Sequence, residues 1–136
     1  SIMATVRASL TLNSADVMSS ALNLVSNVSL TADAGSMIRA KVAQTSVNAN
    51  ALVVYKADDK LDSAYLYVQN LDTEKENYVY IYQDTDNDNL VAKIGGGEFA
   101  FIPVAVNKTF KCYATKVDTM VEYGVFGLDS SAVTLA

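Results

Sequence analysis

The chain has 136 residues, is 51% hydrophobic and 18% charged, and carries a formal net charge of −5 with no histidine, no tryptophan and one cysteine. That length suits one domain able to bury a core without help from metals or disulfides, and a lone Cys112 excludes an internal disulfide and a cysteine-based metal cage. Without histidine the commonest general base and metal ligand are missing, and ten basic residues scattered from Arg7 to Lys116 give no concentrated phosphate-binding surface, which argues against an enzyme and against a nucleic-acid binder.

The apolar residues are interrupted too often to give a run of about 18 that could cross a bilayer as a helix, so no membrane association is expected. The first residues, Ser1, Ile2, Met3, Ala4, Thr5, Val6 and Arg7, do not place an apolar segment after a basic one as a secretion signal does. Synthesis in the cytosol is the simpler expectation.

Residues 4–12 set Val6, Ala8, Leu10 and Leu12 against Thr5, Arg7, Ser9 and Thr11, a first strand that stops at Asn13 and Ser14. After a short connector at 16–20, residues 21–31 alternate through Leu22 and Leu24 and again through Val28 and Leu30, with a bend or bulge expected at Asn27. Residues 37–44 put Ile38, Ala40 and Val42 on one face and Arg39 and Lys41 on the other. The denser run 51–56 (Ala51, Leu52, Val53, Val54, Tyr55, Lys56) reads as a strand covered on both faces.

From 64 to 126 the period-two runs follow one another closely and predict a continuous β-meander. Tyr65 and Tyr67 share one face of their strand; Tyr78, Tyr80 and Tyr82 share one face of the next. If these strands pair through the loop 71–77, five tyrosines line one side of a hairpin, with Ala64, Leu66, Val68, Val79 and Ile81 on the other. One face then fills the core. The other is covered locally or docks on another chain, and tyrosine, with its large rigid area and polar tip, is enriched at such contacts. Pro103 closes the run Phe99, Ala100, Phe101, Ile102, where a missing amide hydrogen does least harm. Residues 132–136 are a last edge strand or an arm. The expected fold class is all-β: one antiparallel β-sandwich or jelly roll of about nine or ten short strands spanning residues 1–136, with possible terminal arms.

Three features invite a chemical reading. Asp84, Thr85, Asp86, Asn87, Asp88 and Asn89 start like a calcium loop, but Asn89 stands where glycine is needed and Gly95 where the bidentate glutamate is needed, so a polar hairpin tip is expected and no metal. Gly95, Gly96 and Gly97 lack the lysine and hydroxyl of a phosphate loop and precede a strand, so they read as a left-handed or flexible turn. Cys112, mid-strand between Lys111 and Tyr113, reads as a buried, inert thiol. The loop carboxylates Asp58, Asp59, Asp62, Glu74 and Glu76 show no spacing that selects a catalytic pair.

The strand order, with Tyr65, Leu66, Tyr67, Val68, Gln69 and Asn70, then Tyr78 to Tyr82, then the glycine-glutamate-aromatic-alanine-aromatic-X-proline strand at 97–103 and a closing Val121, Glu122, Tyr123, resembles small virion structural proteins of tailed bacteriophages. The opening at 8–12 and 21–24 is similar to that of some of them. The resemblance implies a protein without enzymatic activity or cofactor, made in the infected bacterial cytosol and present in many copies on the virion. Within that class a capsid decoration or cement protein on the capsid surface is expected, with the major capsid protein or other virion proteins as partners and a homo-oligomeric or multi-copy arrangement. The contact residues expected from the pattern are Val6 and Leu10 on the first strand and Tyr65, Tyr67, Tyr78, Tyr80 and Tyr82. The alternatives are a tail, connector or fibre-associated virion protein and a carbohydrate-binding β-sandwich.

Overall fold

The structure, a computed structural model, describes residues 3–84 and 89–129. Among them are ten strands: β1 (Ala4–Ser14), β2 (Leu22–Ala32), β3 (Ala34–Val42), β4 (Leu52–Tyr55), β5 (Leu61–Asn70), β6 (Val79–Gln83), β7 (Leu90–Ile94), β8 (Phe99–Val104), β9 (Phe110–Ala114) and β10 (Thr119–Asp129). They form a two-stranded ribbon, β1-β2, and two four-stranded sheets of order β3-β10-β5-β8 and β4-β9-β6-β7. Every pairing is antiparallel.

The connectivity has a simple logic. β6 pairs with β7, and outside that hairpin β5 pairs with β8, β4 with β9 and β3 with β10. These nested pairs are one long hairpin rolled up so that successive pairs fall in alternate sheets, which is the jelly-roll arrangement. Two further pairings, β10 with β5 and β6 with β9, join the nested pairs within each sheet.

The expected hairpin between residues 64–70 and 78–82 does not form, and the stretch 64–126 is not a meander. β5 lies in one sheet and β6 in the other, with residues 71–78 crossing between them. The physical reason is that period-two patterning fixes which face of a strand is buried but not which strand lies beside it. The two apolar faces do meet, across the interior rather than side by side. Ala64, Leu66 and Val68 from one sheet and Val79 and Ile81 from the other are at most 1% exposed and belong to one core with Val42, Val54, Tyr55, Cys112, Ala114 and Val121.

The crossing after β5 is held by a buried polar network. The Asn70 amide donates to the carbonyl oxygens of Asn77 (2.7 Å) and Ile94 (3.0 Å), while its oxygen accepts from the Asp72 N–H (3.0 Å). Asn77 in turn donates to the Thr119 hydroxyl (2.9 Å), which donates to the Lys116 carbonyl (2.7 Å). All three side chains are buried and satisfied, as buried polar groups must be. Gly97 at φ +84° makes the neighbouring turn, closed by the Glu98 carboxylate accepting from the Gly95 N–H at 2.7 Å, which is the left-handed glycine turn the sequence calls for.

Two smaller expectations are corrected and a third holds. β2 runs unbroken through Asn27, which pairs with Ser9 and accepts a 2.7 Å hydrogen bond from its hydroxyl, so no bulge is needed there. β4 is not covered on both faces: Val54 and Tyr55 are buried, but Val53 is 38% exposed. Pro103 stands next to last in β8, at the end of its run as the sequence places it, and is tolerated because β8 is a sheet edge. Residues 85–88 of the acidic loop and 132–136 of the terminal strand or arm lie outside the described residues.

Candidate interaction surface

The ribbon β1-β2 is built by the same alternation that builds the sandwich, but its apolar face is only partly covered. Register places Val6 opposite Leu30, Ala8 opposite Val28, Leu10 opposite Ser26 and Leu12 opposite Leu24, so these residues share one face. Thr5, Arg7, Ser9 and Thr11 with Thr31, Ser29, Asn27 and Val25 form the other, which is polar apart from Val25. Leu10, Leu12, Leu24 and Val28 remain 42–49% exposed, and among the described residues the core cluster contains no ribbon residue. The ribbon leaves the sandwich at a fixed corner. The Asp33 N–H donates to the Gly127 carbonyl (2.9 Å), and the Asp33 carboxylate accepts from the Asp129 N–H (3.3 Å).

The apolar face of the ribbon stands over the outer face of the sheet β3-β10-β5-β8. That outer face is itself apolar. In register with one another there are Met37 on β3, Gly124 and Phe126 on β10, Tyr65 and Tyr67 on β5 and Phe101 and Pro103 on β8. Tyr65 stacks on Phe101 with centroids 6.0 Å apart, and Tyr67 meets Phe99 at 6.2 Å. Gly124 keeps the surface flat: a Cβ there would sit 2.5 Å from the Ser36 carbonyl oxygen. Between ribbon and sheet lies an open cleft of about 570 Å³, walled by Val6, Ala8, Leu10 and Val28 on one side and by Met37, Tyr67, Phe99, Phe101 and Phe126 on the other. Phe99 is 59% exposed. Among the described residues, the one charged side chain lining the cleft is Arg7.

The tyrosines of β6 lie on the far side of the molecule. Tyr78 and Tyr80 are half-buried on the outer face of β4-β9-β6-β7, where Tyr80 stacks on Tyr113 at 5.0 Å and the Lys93 ammonium sits 4.1 Å from the centre of the Tyr78 ring. Tyr82 shares that outer face yet is fully buried. It packs against Tyr113 at 5.8 Å, its hydroxyl donates to the Asn48 carbonyl at 3.4 Å, and Lys111, on the neighbouring strand, donates to the Ala49 carbonyl, so the segment before β4 covers it. Of the seven contact residues expected from the sequence, the structure brings Val6, Leu10 and Tyr67 to one cleft with Tyr65 beside it. It separates Tyr78 and Tyr80 from them by the thickness of the sandwich and places Tyr82 under a local segment.

Met37, Phe99, Phe101, Phe126 and Val28 belong to the cleft and escaped the sequence reading. Phe99 and Phe101 carry the period-two signal of an outward face in β8. A second signal was charge: Arg7 and Asp16 are the only charged residues before Asp33 in a chain with 25. The two strands of the ribbon thus carry a single charge, Arg7, where exposed strands usually use several to discourage association.

Chemical groups in the core are quiet. Burial pushes the Cys112 thiol up to about 12 and also raises Tyr123, with Cys112 adding to the latter. Tyr55 is raised by burial and by Asp58, and its hydroxyl donates to the Val106 carbonyl at 2.8 Å. Among the described residues, no three carboxylate, cysteine or histidine groups converge in a way that could hold a metal ion. Comparison with protein-family models, with curated proteins and with solved structures finds no match to this chain.

Proposed function

We propose that the chain is a non-enzymatic structural protein of a bacteriophage virion, a capsid decoration or cement protein that binds the lattice of the major capsid protein and stabilises the head. The observation that carries this reading is the pair of exposed apolar faces, ribbon and sheet, that lie outside an already complete core. A monomeric domain has no use for such faces, and contiguous exposed apolar surface of this kind marks a contact site. The likeness of the strands at 65–70, 78–82 and 97–103 to small phage virion proteins supplies the class. A jelly roll serves capsid proteins and lectins alike, so the fold by itself is analogy and carries less weight.

The mechanism is additive. Each copy buries a modest area on the shell, and many copies fixed in a lattice raise the effective concentration of every contact, so that weak individual contacts resist outward pressure together. The protein would be made in the bacterial cytosol and reside on the capsid surface.

A second reading, a carbohydrate-binding module, has one observation in its favour: the half-exposed row of Tyr78, Tyr80 and Tyr113 on the opposite sheet. The deciding experiment is the copy number of the chain in purified particles relative to the major capsid protein, by quantitative mass spectrometry. A value near one copy per capsid subunit, or a simple fraction of it, fits decoration. A few rings' worth moves the protein to the tail or connector, and absence from the particle removes the virion reading and leaves the carbohydrate module.

A further inference from the structure

The ladder between the ribbon's two strands is complete but the ribbon's burial is not. Eleven consecutive residue pairs hold β1 to β2, while an isolated two-stranded hairpin is at best marginally stable in water without an apolar face covered by something else. Its own sandwich covers it only in part: Val6, Ala8 and Leu30 are half-buried, while Leu10, Leu12, Leu24 and Val28 stay exposed. The corner at Asp33 is pinned from both sides, the cleft stands open, and the facing side chains Leu10 and Phe99 are 43% and 59% exposed.

We infer that the cleft receives the β1-β2 ribbon of a second copy of this chain, so that copies associate by exchanging ribbons. Three observations select that occupant. The two surfaces are complementary in kind, since one molecule presents both a protruding apolar ribbon and an apolar receiving face. Charge permits it: the body carries all of the formal net charge of −5 and would repel another body, whereas in the ribbon arm, through Ala32, Arg7 offsets Asp16, so it can approach without repulsion. Area suffices as well. Eleven residues at about 3.4 Å each and two strands about 4.8 Å apart give a ribbon face of roughly 350 Å², so one docked ribbon hides roughly 700 Å² on both surfaces, and a reciprocal pair roughly 1,400 Å². A stable specific interface needs about 1,200–2,000 Å². The exchange is a property of the free chain and does not depend on the particle: failure of capsid binding leaves it standing, and its failure leaves capsid binding untouched.

The test uses the full chain. Native light scattering over a concentration series should give a multi-chain mass, and the double variant Leu10→Ser/Leu24→Ser should fall to the mass of one chain while keeping the unfolding midpoint that the wild-type chain shows when diluted to single-chain mass. Contact is read separately by mixing a Leu10→Cys preparation with a Phe99→Cys preparation under mild oxidation and identifying bridged peptides by mass spectrometry. Buried Cys112 does not compete. Bridges joining position 10 of one copy to position 99 of another are expected, well above those formed when Thr11→Cys, on the opposite ribbon face, replaces Leu10→Cys. A wild-type chain of single-chain mass at every concentration, a multi-chain mass that survives the double variant, or bridging no better than the Thr11→Cys control would each overturn the inference. So would a ribbon that becomes protected only when another virion protein is added, because that protein would then be the occupant.

Discussion

Replacing Asn70 by alanine should destabilise the sandwich by about 3 to 5 kcal/mol, although the side chain is polar and small. It is fully buried at the crossing from β5 to β6 and makes three hydrogen bonds, to the carbonyls of Asn77 and Ile94 and from the N–H of Asp72. Each net bond contributes about 1 kcal/mol, and each buried partner left without one costs about 1–3 kcal/mol, which sets the lower end of the range even if some partners find new ones. Against a total stability of about 5–15 kcal/mol the loss is large. Equilibrium urea denaturation of the full chain reads it as a lower midpoint with an unchanged slope. Asn70→Asp sharpens the experiment. It replaces the donor aimed at two carbonyl oxygens with an acceptor, so it should be the more damaging substitution at pH 7 and less so at pH 4, where a protonated carboxyl can donate once. A loss of under about 1 kcal/mol for the alanine variant would mean that water takes over these bonds, and the view of the network as the device that carries the chain from one sheet to the other would be wrong.

Leu66→Ala, at 1% exposure in the core, should cost about 2–5 kcal/mol, while Leu12→Ser on the ribbon should change the unfolding free energy of the single chain by no more than about 0.5 kcal/mol; equal effects would show that the ribbon is part of the folding unit. The raised ionisations of Cys112, Tyr55 and Tyr123 all favour the neutral form in the folded state. For Cys112 the folded chain keeps its proton up to about 12, while the unfolded chain begins to lose it near the ordinary value of 9.0. The unfolded state therefore binds fewer protons in that window, and stability, fully present below pH 9, should fall by up to about 1.4 kcal/mol per pH unit above it. Denaturation midpoints from pH 8 to 11 should show this fall, and Cys112→Ala should make it shallower; an unchanged slope would contradict it. Tyr80→Ser removes the ring stacked at 5.0 Å on Tyr113 and should cost about 1–2 kcal/mol in folding while leaving association intact, since this face is remote from the cleft. Light scattering and urea denaturation of the same sample separate the two effects.

The parity of side chains was legible throughout. Ala64, Leu66, Val68, Val79 and Ile81 face inward as their alternation requires, and the strands were located to within a few residues except β7 (Leu90–Ile94), to which no run was assigned. Pairing was not legible. Tyr67 and Tyr80 look like partners because seven loop residues separate their strands, yet Tyr67 lies opposite Phe101 and Gly124, and Tyr80 opposite Lys93 and Tyr113. Local patterning carries no term for a neighbour many residues away, and in a rolled hairpin most strand neighbours are of that sort. Arg39 and Glu122, which bridge at 3.2 Å between β3 and β10, are 83 residues apart. Tyr82 shows the same limit from another side: its parity is outward, but the segment around Asn48 covers it. Val6 and Leu10 share one apolar face of β1 by the simplest signal in the chain, and their pairing with β2 is local, as that of β6 with β7 is.

That division has a consequence for how the molecule holds together. The sandwich closes only when its outermost nested strands, β3 and β10, meet, so its stability is cooperative and its interior is sealed by distant contacts. The ribbon closes on itself through a connection of seven residues between β1 and β2 and draws nothing from the core. A segment with this independence can exchange its apolar contact from one surface to another without opening the sandwich. The Asp33 corner, bonded to Gly127 and Asp129 at the end of the last strand, keeps the exchanged segment in a fixed direction relative to the body. A rigid body with a directed, locally folded arm of no net charge can therefore form contacts of defined geometry, which a lattice of identical copies requires and which a loose terminal tail would not provide.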